Sequence, residues 1–171
     1  SIMKVNEKLD TGPVCSSYKI DIMNNDNAEI ISDKLSALSA EKILDNIDEI
    51  LEDKLEFKEQ AHAEATYANK IEKLEGKIDW SNSAEKIIGK INGLYPTPGA
   101  WFIYNGERYK ILKAEISNGL GKIGEVLDDC LEISCNDKSI KILEIQREGK
   151  RPQNINEFIL GSQIKKGSNL N

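Results

Sequence analysis

Apolar and polar residues alternate near the start of the chain in a way that predicts two short strands. Residues 2 to 5 and 14 to 22 carry this pattern, and the Gly12-Pro13 pair between them is a turn signal. We therefore predict a hairpin-like unit with Asp10 in its loop. A lone strand leaves backbone N–H and C=O groups unpaired, so an apolar strand at the first residues indicates a fragment of a longer protein.

Helical spacing follows the polar segment at residues 24 to 27. Apolar residues from Ile30 to Leu38 predict one helix, and Ser39 is predicted to cap a second helix. Two strands and two amphipathic helices cannot close a core within residues 1 to 52, because chains of that size are marginal even when complete. We expect this segment to expose apolar surface, and residues 53 to 72, rich in Glu, Lys and Ala, to form a linker.

Residues 73 to 171 carry signals for one helix followed by several strands. Residues 82 to 85 predict a capped helix start and Asn92-Gly93 its end, whereas Asn105-Gly106 is a strong hairpin signal. Asn154 is predicted to cap a last short helix that ends at Gly161. Strands are expected at residues 101–104, 108–116, 126–127, 131–135 and 140–145. This order favours an α+β fold whose second domain, 73 to 171, is a small OB-like antiparallel barrel.

The charge is divided unevenly along the chain. The net charge is -6, yet residues 73 to 171 hold 15 Lys or Arg against 13 Asp or Glu, whereas residues 1 to 72 hold 8 Lys against 16 Asp or Glu. The second part can therefore carry a basic face for nucleic acid. A solvated mixed surface is the alternative reading of any single lysine.

Composition narrows the class of protein. A content of 39% apolar and 30% charged residues is typical of a soluble globular protein. No apolar run approaches the roughly 20 residues needed to cross a bilayer, so we expect a cytoplasmic protein without a membrane partner. Three cysteines without CxxC spacing and the single His62 support neither a disulfide framework nor a metal site. We expect the three thiols to be reduced and mostly buried.

Asp10 is the candidate catalytic residue, because it lies in a loop directly after a strand, where functional groups often project from a rigid scaffold. The alternative is turn chemistry, in which Asp and Thr side chains cap local N–H groups and Gly12 supplies a positive φ angle. An aspartic protease is excluded, because that mechanism needs two such carboxylates sharing a proton and only one Asp-Thr-Gly is present.

Several short motifs in a fixed order resemble the methionyl-tRNA formyltransferase family. The motifs are Ile2-Met3 with Leu9-Asp10-Thr11-Gly12, Asp33-Lys34-Leu35, Thr66-Tyr67-Ala68 with Lys70-Ile71, Ile78-Asp79-Trp80, Ser83-Ala84, Pro96 with Pro98-Gly99-Ala100-Trp101, Gly124-Glu125-Val126-Leu127, and Gln146 with Gly149-Lys150-Arg151. Each motif is weak alone, but together they span almost the whole chain.

The resemblance implies transfer of a formyl group from 10-formyltetrahydrofolate to the amino group of methionyl-initiator-tRNA by a monomeric enzyme. It implies that residues 1 to 52 are the end of a Rossmann-like catalytic domain, and that Asp10 is the catalytic aspartate. The asparagine, histidine and folate pocket of the family have no counterpart in this sequence, so the chain alone is expected to be inactive. Lys150 and Arg151 match the tRNA-facing position, with Lys70 and Lys73 as further candidates.

Two alternatives remain open. A sugar-nucleotide formyltransferase has a similar Asp-Thr-Gly loop, and a non-catalytic tRNA-binding module from a truncated gene would lack the same upstream residues. The aromatic residues Trp80, Tyr95 and Trp101 could serve as base-stacking platforms, but core packing is the favoured interpretation for tryptophans beside apolar runs.

Overall fold

The computed structural model describes residues 1–170 and divides into two compact units. Unit 1 comprises Ser1–Asn24 and Ile30–Lys70, and unit 2 comprises Asn25–Glu29 together with the described residues from Ile71 onward. The predicted end of the second domain at residue 171 lies outside the described residues. The whole is an α+β structure with antiparallel sheets. None of its helices within residues 1–170 is long and apolar enough to cross a membrane.

Unit 1 begins with the predicted hairpin, in a shorter form. Strand β1 (Ile2–Met3) pairs antiparallel with β2 (Val14–Ser16), so the expectation of strands over 2–5 and 14–22 is wrong in length. A two-stranded ribbon is marginal by itself, and here Lys58 supplies one further backbone pair. Val14 N–H donates to Lys58 O over 2.9 Å, and Lys58 N–H donates to Val14 O over 3.0 Å.

A single helix, α1 (Ala28–Leu51), replaces the two helices predicted for this segment. Ser39 therefore does not cap a helix but lies inside one. No Gly or Pro interrupts the run, and an interior serine costs a helix only a few tenths of a kcal/mol (about 0.5 relative to alanine), so the serine cannot end it. The expectation of exposed apolar surface is confirmed: no residue of α1 is buried, and Leu44 and Leu51 are 71% and 76% exposed.

Unit 2 begins with a 3-10 turn, Lys73–Gly76, and the helix α2 (Ala84–Leu94). The side chain of Ser83 caps α2 by accepting a hydrogen bond from Lys86 N–H over 3.3 Å. The predicted end at Asn92-Gly93 is too early, since the helix continues to Leu94. Its apolar stripe, Ala84, Ile87 and Ile91, is buried and faces the sheet.

The sheet of unit 2 contains five antiparallel strands in the order β3-β4-β6-β5, with β7 beside β6. Their bounds are β3 Ala100–Tyr104, β4 Glu107–Ser117, β5 Glu132–Ser134, β6 Ser139–Arg147 and β7 Gln153–Asn154. Asn105 and Gly106, with φ of 50° and 79°, form the predicted hairpin turn. The predicted strand at 126–127 is reduced to a single bridge from Val126 to Ile133.

The core lies between α2, the inner face of the sheet and the last helix, α3 (Ile155–Gly161), which Asn154 caps as predicted. Trp80 is 1% exposed and belongs to this core, which confirms core packing for that residue, whereas Trp101 is 9% exposed and is buried outside this cluster. The indole N–H of Trp80 donates to Leu170 O over 3.1 Å, which ties the end of the described chain to the centre of the unit.

Candidate functional site

Asp10 lies at the tip of the loop between β1 and β2 and is exposed. Its φ of 56° places it in the left-handed region, which asparagine and aspartate tolerate better than most residues. The side chain of Gln60 holds the loop from one side, donating to Asp10 O over 3.0 Å and to Gly12 O over 2.7 Å. The positive φ is thus at Asp10, not at Gly12 as the turn interpretation expected.

Gly12 is needed for a different reason, which is the close approach of two backbone segments. A Cβ atom built on Gly12 would lie 1.7 Å from Lys4 O, so any side chain there would push the hairpin apart. The carboxylate of Asp10 itself takes no part in holding the loop, because it has no hydrogen-bond or ion-pair partner among residues 1–170. The carboxylate is therefore exposed on the loop and does not stabilise it.

Lys150 and Arg151 lie together in unit 2, in the turn that follows β6. Gly149 (φ 70°) allows this turn, which is closed by Lys150 N–H donating to Arg147 O over 3.0 Å. The side chain of Gln146 donates to Lys150 O over 2.8 Å and fixes the backbone further. The two cations are therefore presented from a turn whose backbone is held at both ends.

The turn forms one wall of a cleft of about 340 Å³. Helix α3 and the segment after it also line this cleft. The lining residues are Glu107, Tyr109, Arg147, Lys150, Arg151, Gln153, Glu157, Phe158, Gly161, Ser162 and Gln163. The cations outnumber the carboxylates by three to two, so the cleft is suited to an anionic group that also offers neutral polar atoms.

Glu107, which lines this cleft, links two strands. Its carboxylate forms an ion pair with Arg147 and accepts a hydrogen bond from Tyr109 Oη over 2.9 Å. The hydrogen bond from Arg147, followed by that from Tyr109, lowers the pKa of Glu107 below its usual value. Burial, followed by the bond to Glu107, raises the pKa of Tyr109 above its usual value. The glutamate stays charged and the phenol stays neutral near pH 7.

A second set of cations lies on the outer face of the same strands. Arg108 and Lys110 alternate with buried residues along β4 and, with Gln146, Glu148 and Gly149, line a shallow depression of about 260 Å³. The guanidinium of Arg108 stacks 5.8 Å from the ring centre of Trp101 and pairs with Glu148. The indole N–H of Trp101 donates to Lys73 O over 3.0 Å, which places the backbone of Lys73 beside this face.

The structure thus brings Lys150 and Arg151 together and places Lys73 in the same unit, whereas Lys70 and Asp10 belong to unit 1. Sequence reasoning missed Arg108, Lys110 and Arg147. Arg108 and Lys110 occupy alternate positions of a strand next to the Asn105-Gly106 turn, so their side chains share one face of the sheet. This pattern could have identified both residues from the sequence. Arg147 gave no such signal, because only pairing between β4 and β6 brings it to Glu107.

No group of three or more His, Cys, Asp or Glu side chains in the described part of the chain could hold a metal ion.

The expectation that the cysteines are mostly buried is wrong. All three are free thiols, but only Cys135 is buried, whereas Cys15 is half-buried and Cys130 is exposed. Burial raises the pKa of the Cys135 thiol to about 11, so this thiol is not a nucleophile near pH 7.

A family model and curated relatives both match this chain. The family model described as formyl transferase, C-terminal domain, matches residues 70–163. A methionyl-tRNA formyltransferase of Pelagibacter ubique (strain HTCC1062) is 67% identical over 171 residues, which are 99% of this chain and 55% of that protein. The chain spans about half the length of the curated relatives that it matches.

Two solved structures extend the comparison. A methionyl-tRNA formyltransferase from Clostridium thermocellum has a TM-score of 0.52 at 26% identity, covering 69% of this chain and 50% of that chain. HypX from Aquifex aeolicus in complex with tetrahydrofolic acid has a TM-score of 0.71 at 20% identity, covering 93% of this chain and 29% of that chain, which is a likeness of fold alone. Because the family match spans more than half of its residues, the chain belongs to the formyltransferase family that carries this C-terminal domain.

Proposed function

We propose that the chain acts as the C-terminal part of a methionyl-tRNA formyltransferase, which transfers a formyl group from 10-formyltetrahydrofolate to the amino group of methionyl-initiator-tRNA. The observation that carries this proposal is the 67% identity with a protein of that name along 99% of the chain. Tetrahydrofolic acid in the solved HypX complex supports a folate donor for this fold. Since translation uses the product, the proposed compartment is the cytoplasm, and the proposed state is a monomer.

Asp10 is proposed as the carboxylate that positions a histidine in the catalytic domain and helps to move its proton. A carboxylate can do this only if it is not already occupied, and the Asp10 carboxylate has no partner among residues 1–170. Its negative charge would stabilise the imidazolium that forms when the histidine takes a proton. Residues 1–52 are proposed as the end of the Rossmann-like catalytic domain and residues 53–72 as the linker.

Unit 2 is proposed as the tRNA-holding domain, an OB-like barrel that binds phosphates through cations. Lys150 and Arg151 are the leading contacts, because they share one turn and one cleft. Lys73 is proposed as a contact on the outer face, and Lys70 as a contact from the linker. Phosphate contacts of this kind set the register of the RNA rather than read its sequence.

The test joins residues 1–171 behind the part of the Pelagibacter ubique relative that precedes the matched region, and measures formylation of methionyl-tRNA with 10-formyltetrahydrofolate. We expect turnover from this chimaera and none from residues 1–171 alone. Asp10→Asn in the chimaera keeps the size and the turn but removes the charge, so turnover should fall about a hundred- to ten-thousandfold.

The matched control is Asp21→Asn, which removes another exposed carboxylate from unit 1 and should leave turnover unchanged. Full activity of the Asp10→Asn chimaera would remove Asp10 from the mechanism. Formylation of an amino sugar nucleotide instead of methionyl-tRNA would favour the sugar-nucleotide alternative, which the curated relatives do not favour.

A further inference from the structure

We infer that the cleft lined by Lys150 and Arg151 seats one unpaired nucleotide of the bound RNA, with its phosphate on the cations and its base against neutral amides. This inference rests on the proposed function, because it takes RNA as the partner of unit 2. It goes further by assigning the cleft a binding mode, which is recognition of a single-stranded nucleotide rather than of a duplex backbone.

The volume of the cleft is the first observation that supports a bound nucleotide. Its volume of about 340 Å³ is at the lower end of the range for small-molecule sites, roughly 300 to 1,000 Å³. One nucleotide is a ligand of that class, whereas the backbone of a double helix runs along an open surface. The depression that Arg108 and Lys110 line on the outer face is smaller, about 260 Å³.

The cations on one wall are suited to a phosphate. Lys150 has no salt bridge among residues 1–170, and the guanidinium of Arg151, 81% exposed, reaches Glu157 only at 3.9 Å. Arg147 also lines the cleft, where it forms an ion pair with Glu107. A guanidinium held in place presents its paired N–H groups to phosphate oxygens with little loss of side-chain entropy.

Neutral amides that line the same cleft are suited to a base. The side-chain amides of Gln153 and Gln163 line the cleft and have no hydrogen-bond partner within the part of the chain that the structure describes. Ser162 Oγ accepts from Ile164 N–H over 3.1 Å and keeps its own O–H to donate. An amide offers both a donor and an acceptor, which is what the edge of an unpaired base requires.

The two carboxylates argue against a bare phosphate as the natural ligand. Glu107 and Glu157 both line the cleft, and each would repel an inorganic anion. A nucleotide can offset this repulsion, because an exocyclic amino group of its base can donate a hydrogen bond to a carboxylate. The aromatic floor residues, Tyr109 and Phe158, are each 6% exposed, so they do not offer a stacking face. Recognition by hydrogen bonds at the base edge is therefore favoured over stacking.

The experiment uses the full chain and two fluorescent probes, a single-stranded RNA hexamer and a duplex of the same sequence. We expect tighter binding of the single strand. The double variant Gln153→Ala/Gln163→Ala should weaken single-strand binding about threefold to tenfold, as expected when one or two hydrogen bonds are removed, and should leave duplex binding unchanged. Lys150→Ala should weaken binding of both probes, because both carry phosphates.

Asn118→Ala is the matched control, since it removes an exposed amide from another loop of unit 2. Gln163→Glu is a second variant at an exposed position, and the charge that it adds should weaken single-strand binding without affecting the fold. Each of three outcomes overturns the inference. The first is that the single strand does not bind, and the second is that the glutamine double variant and the Asn118 variant weaken single-strand binding equally. The third is that inorganic phosphate displaces the single-stranded probe fully at the concentration at which a mononucleotide does.

The formylation assay of the chimaera separates this inference from the proposed function. An active chimaera without any preference for single-stranded RNA would overturn the cleft assignment and leave the formyltransferase proposal standing. A chimaera that prefers the single strand but cannot formylate methionyl-tRNA would support the cleft assignment and overturn the formyltransferase proposal.

Discussion

Glu107 shows how one side chain couples two strands at the scale of single residues. Its carboxylate pairs with Arg147 on β6 and accepts from Tyr109 on its own strand. The same contacts lower its pKa below the ordinary value of 4.5. A carboxyl group with a depressed pKa in the folded protein stabilises the fold above its unfolded pKa, and this stabilisation is lost as the pH falls through the folded pKa.

We therefore expect Glu107→Gln to differ from the parent most at neutral pH. The parent should be the more stable protein at pH 6, and the difference in free energy of unfolding should narrow as the pH falls from about 4.5 toward 3. Chemical denaturation at several pH values measures this. Glu115→Gln, an exposed carboxylate on the same strand, is the control, and a difference that is independent of pH would contradict the assignment.

At the scale of elements, the helix caps show where sequence prediction was right and where it was wrong. Caps were predicted within residues 82 to 85 and at Ser39. In the structure Ser83 accepts a hydrogen bond from a helix N–H, over 3.3 Å, whereas Ser39 caps no helix. Ser39 lies in the middle of Ala28–Leu51. A serine caps a helix only where its own backbone leaves the helical region, and the residue type alone does not specify this.

The two serines therefore form a matched pair of substitutions. Ser83→Ala should lower the free energy of unfolding of unit 2 by about 1 kcal/mol, because one helix N–H loses its partner. Ser39→Ala should be neutral or slightly stabilising in unit 1, because alanine is the better residue inside a helix. Thermal or chemical unfolding measures both changes. A larger destabilisation from Ser39→Ala than from Ser83→Ala would contradict the structure.

At the scale of the whole molecule, the core of unit 2 is closed by residues that are far apart in sequence. Leu170 is 4% exposed and its carbonyl accepts from Trp80, 90 residues earlier. A fragment of residues 71–171 should therefore fold alone, with cooperative unfolding and dispersed amide signals.

A fragment that ends at residue 165 should be less stable by about 2 to 4 kcal/mol, because it loses the burial of a leucine and leaves a buried indole N–H unpaired. Equal stability of the two fragments, measured by chemical denaturation, would show that the last residues are dispensable. A molten spectrum of the longer fragment would contradict independent folding.

Binding of RNA by the full chain is the second whole-molecule prediction. The double variant Lys150→Ala/Arg151→Ala should bind tRNA more weakly, and the slope of log affinity against log salt should become shallower by about 0.9 for each duplex phosphate that is no longer neutralised. Lys165→Ala/Lys166→Ala removes two other exposed lysines of unit 2 as the control. If both double variants retain the parental slope, Lys150 and Arg151 are solvated and bind no phosphate.

Local signals were sufficient for much of this protein. The Asn105-Gly106 hairpin with its two flanking strands, the capped helix start within residues 82–85 and the cap at Asn154 follow from residues within a few positions of one another. The exposed apolar surface of residues 1–52 also followed from the sequence, because two short strands and the two predicted helices cannot enclose a core. The ordered motifs were sufficient to indicate the formyltransferase family, which the match over residues 70–163 confirms.

Only the tertiary structure decided the rest, because those features depend on pairing between distant segments. The cleft was decided by the register that sets Tyr109 opposite Arg147. Arg147 and Glu107 are 40 positions apart, and no local pattern relates them. Sequence periodicity reports which face of an element is apolar, whereas the pairing of elements determines which polar side chains meet.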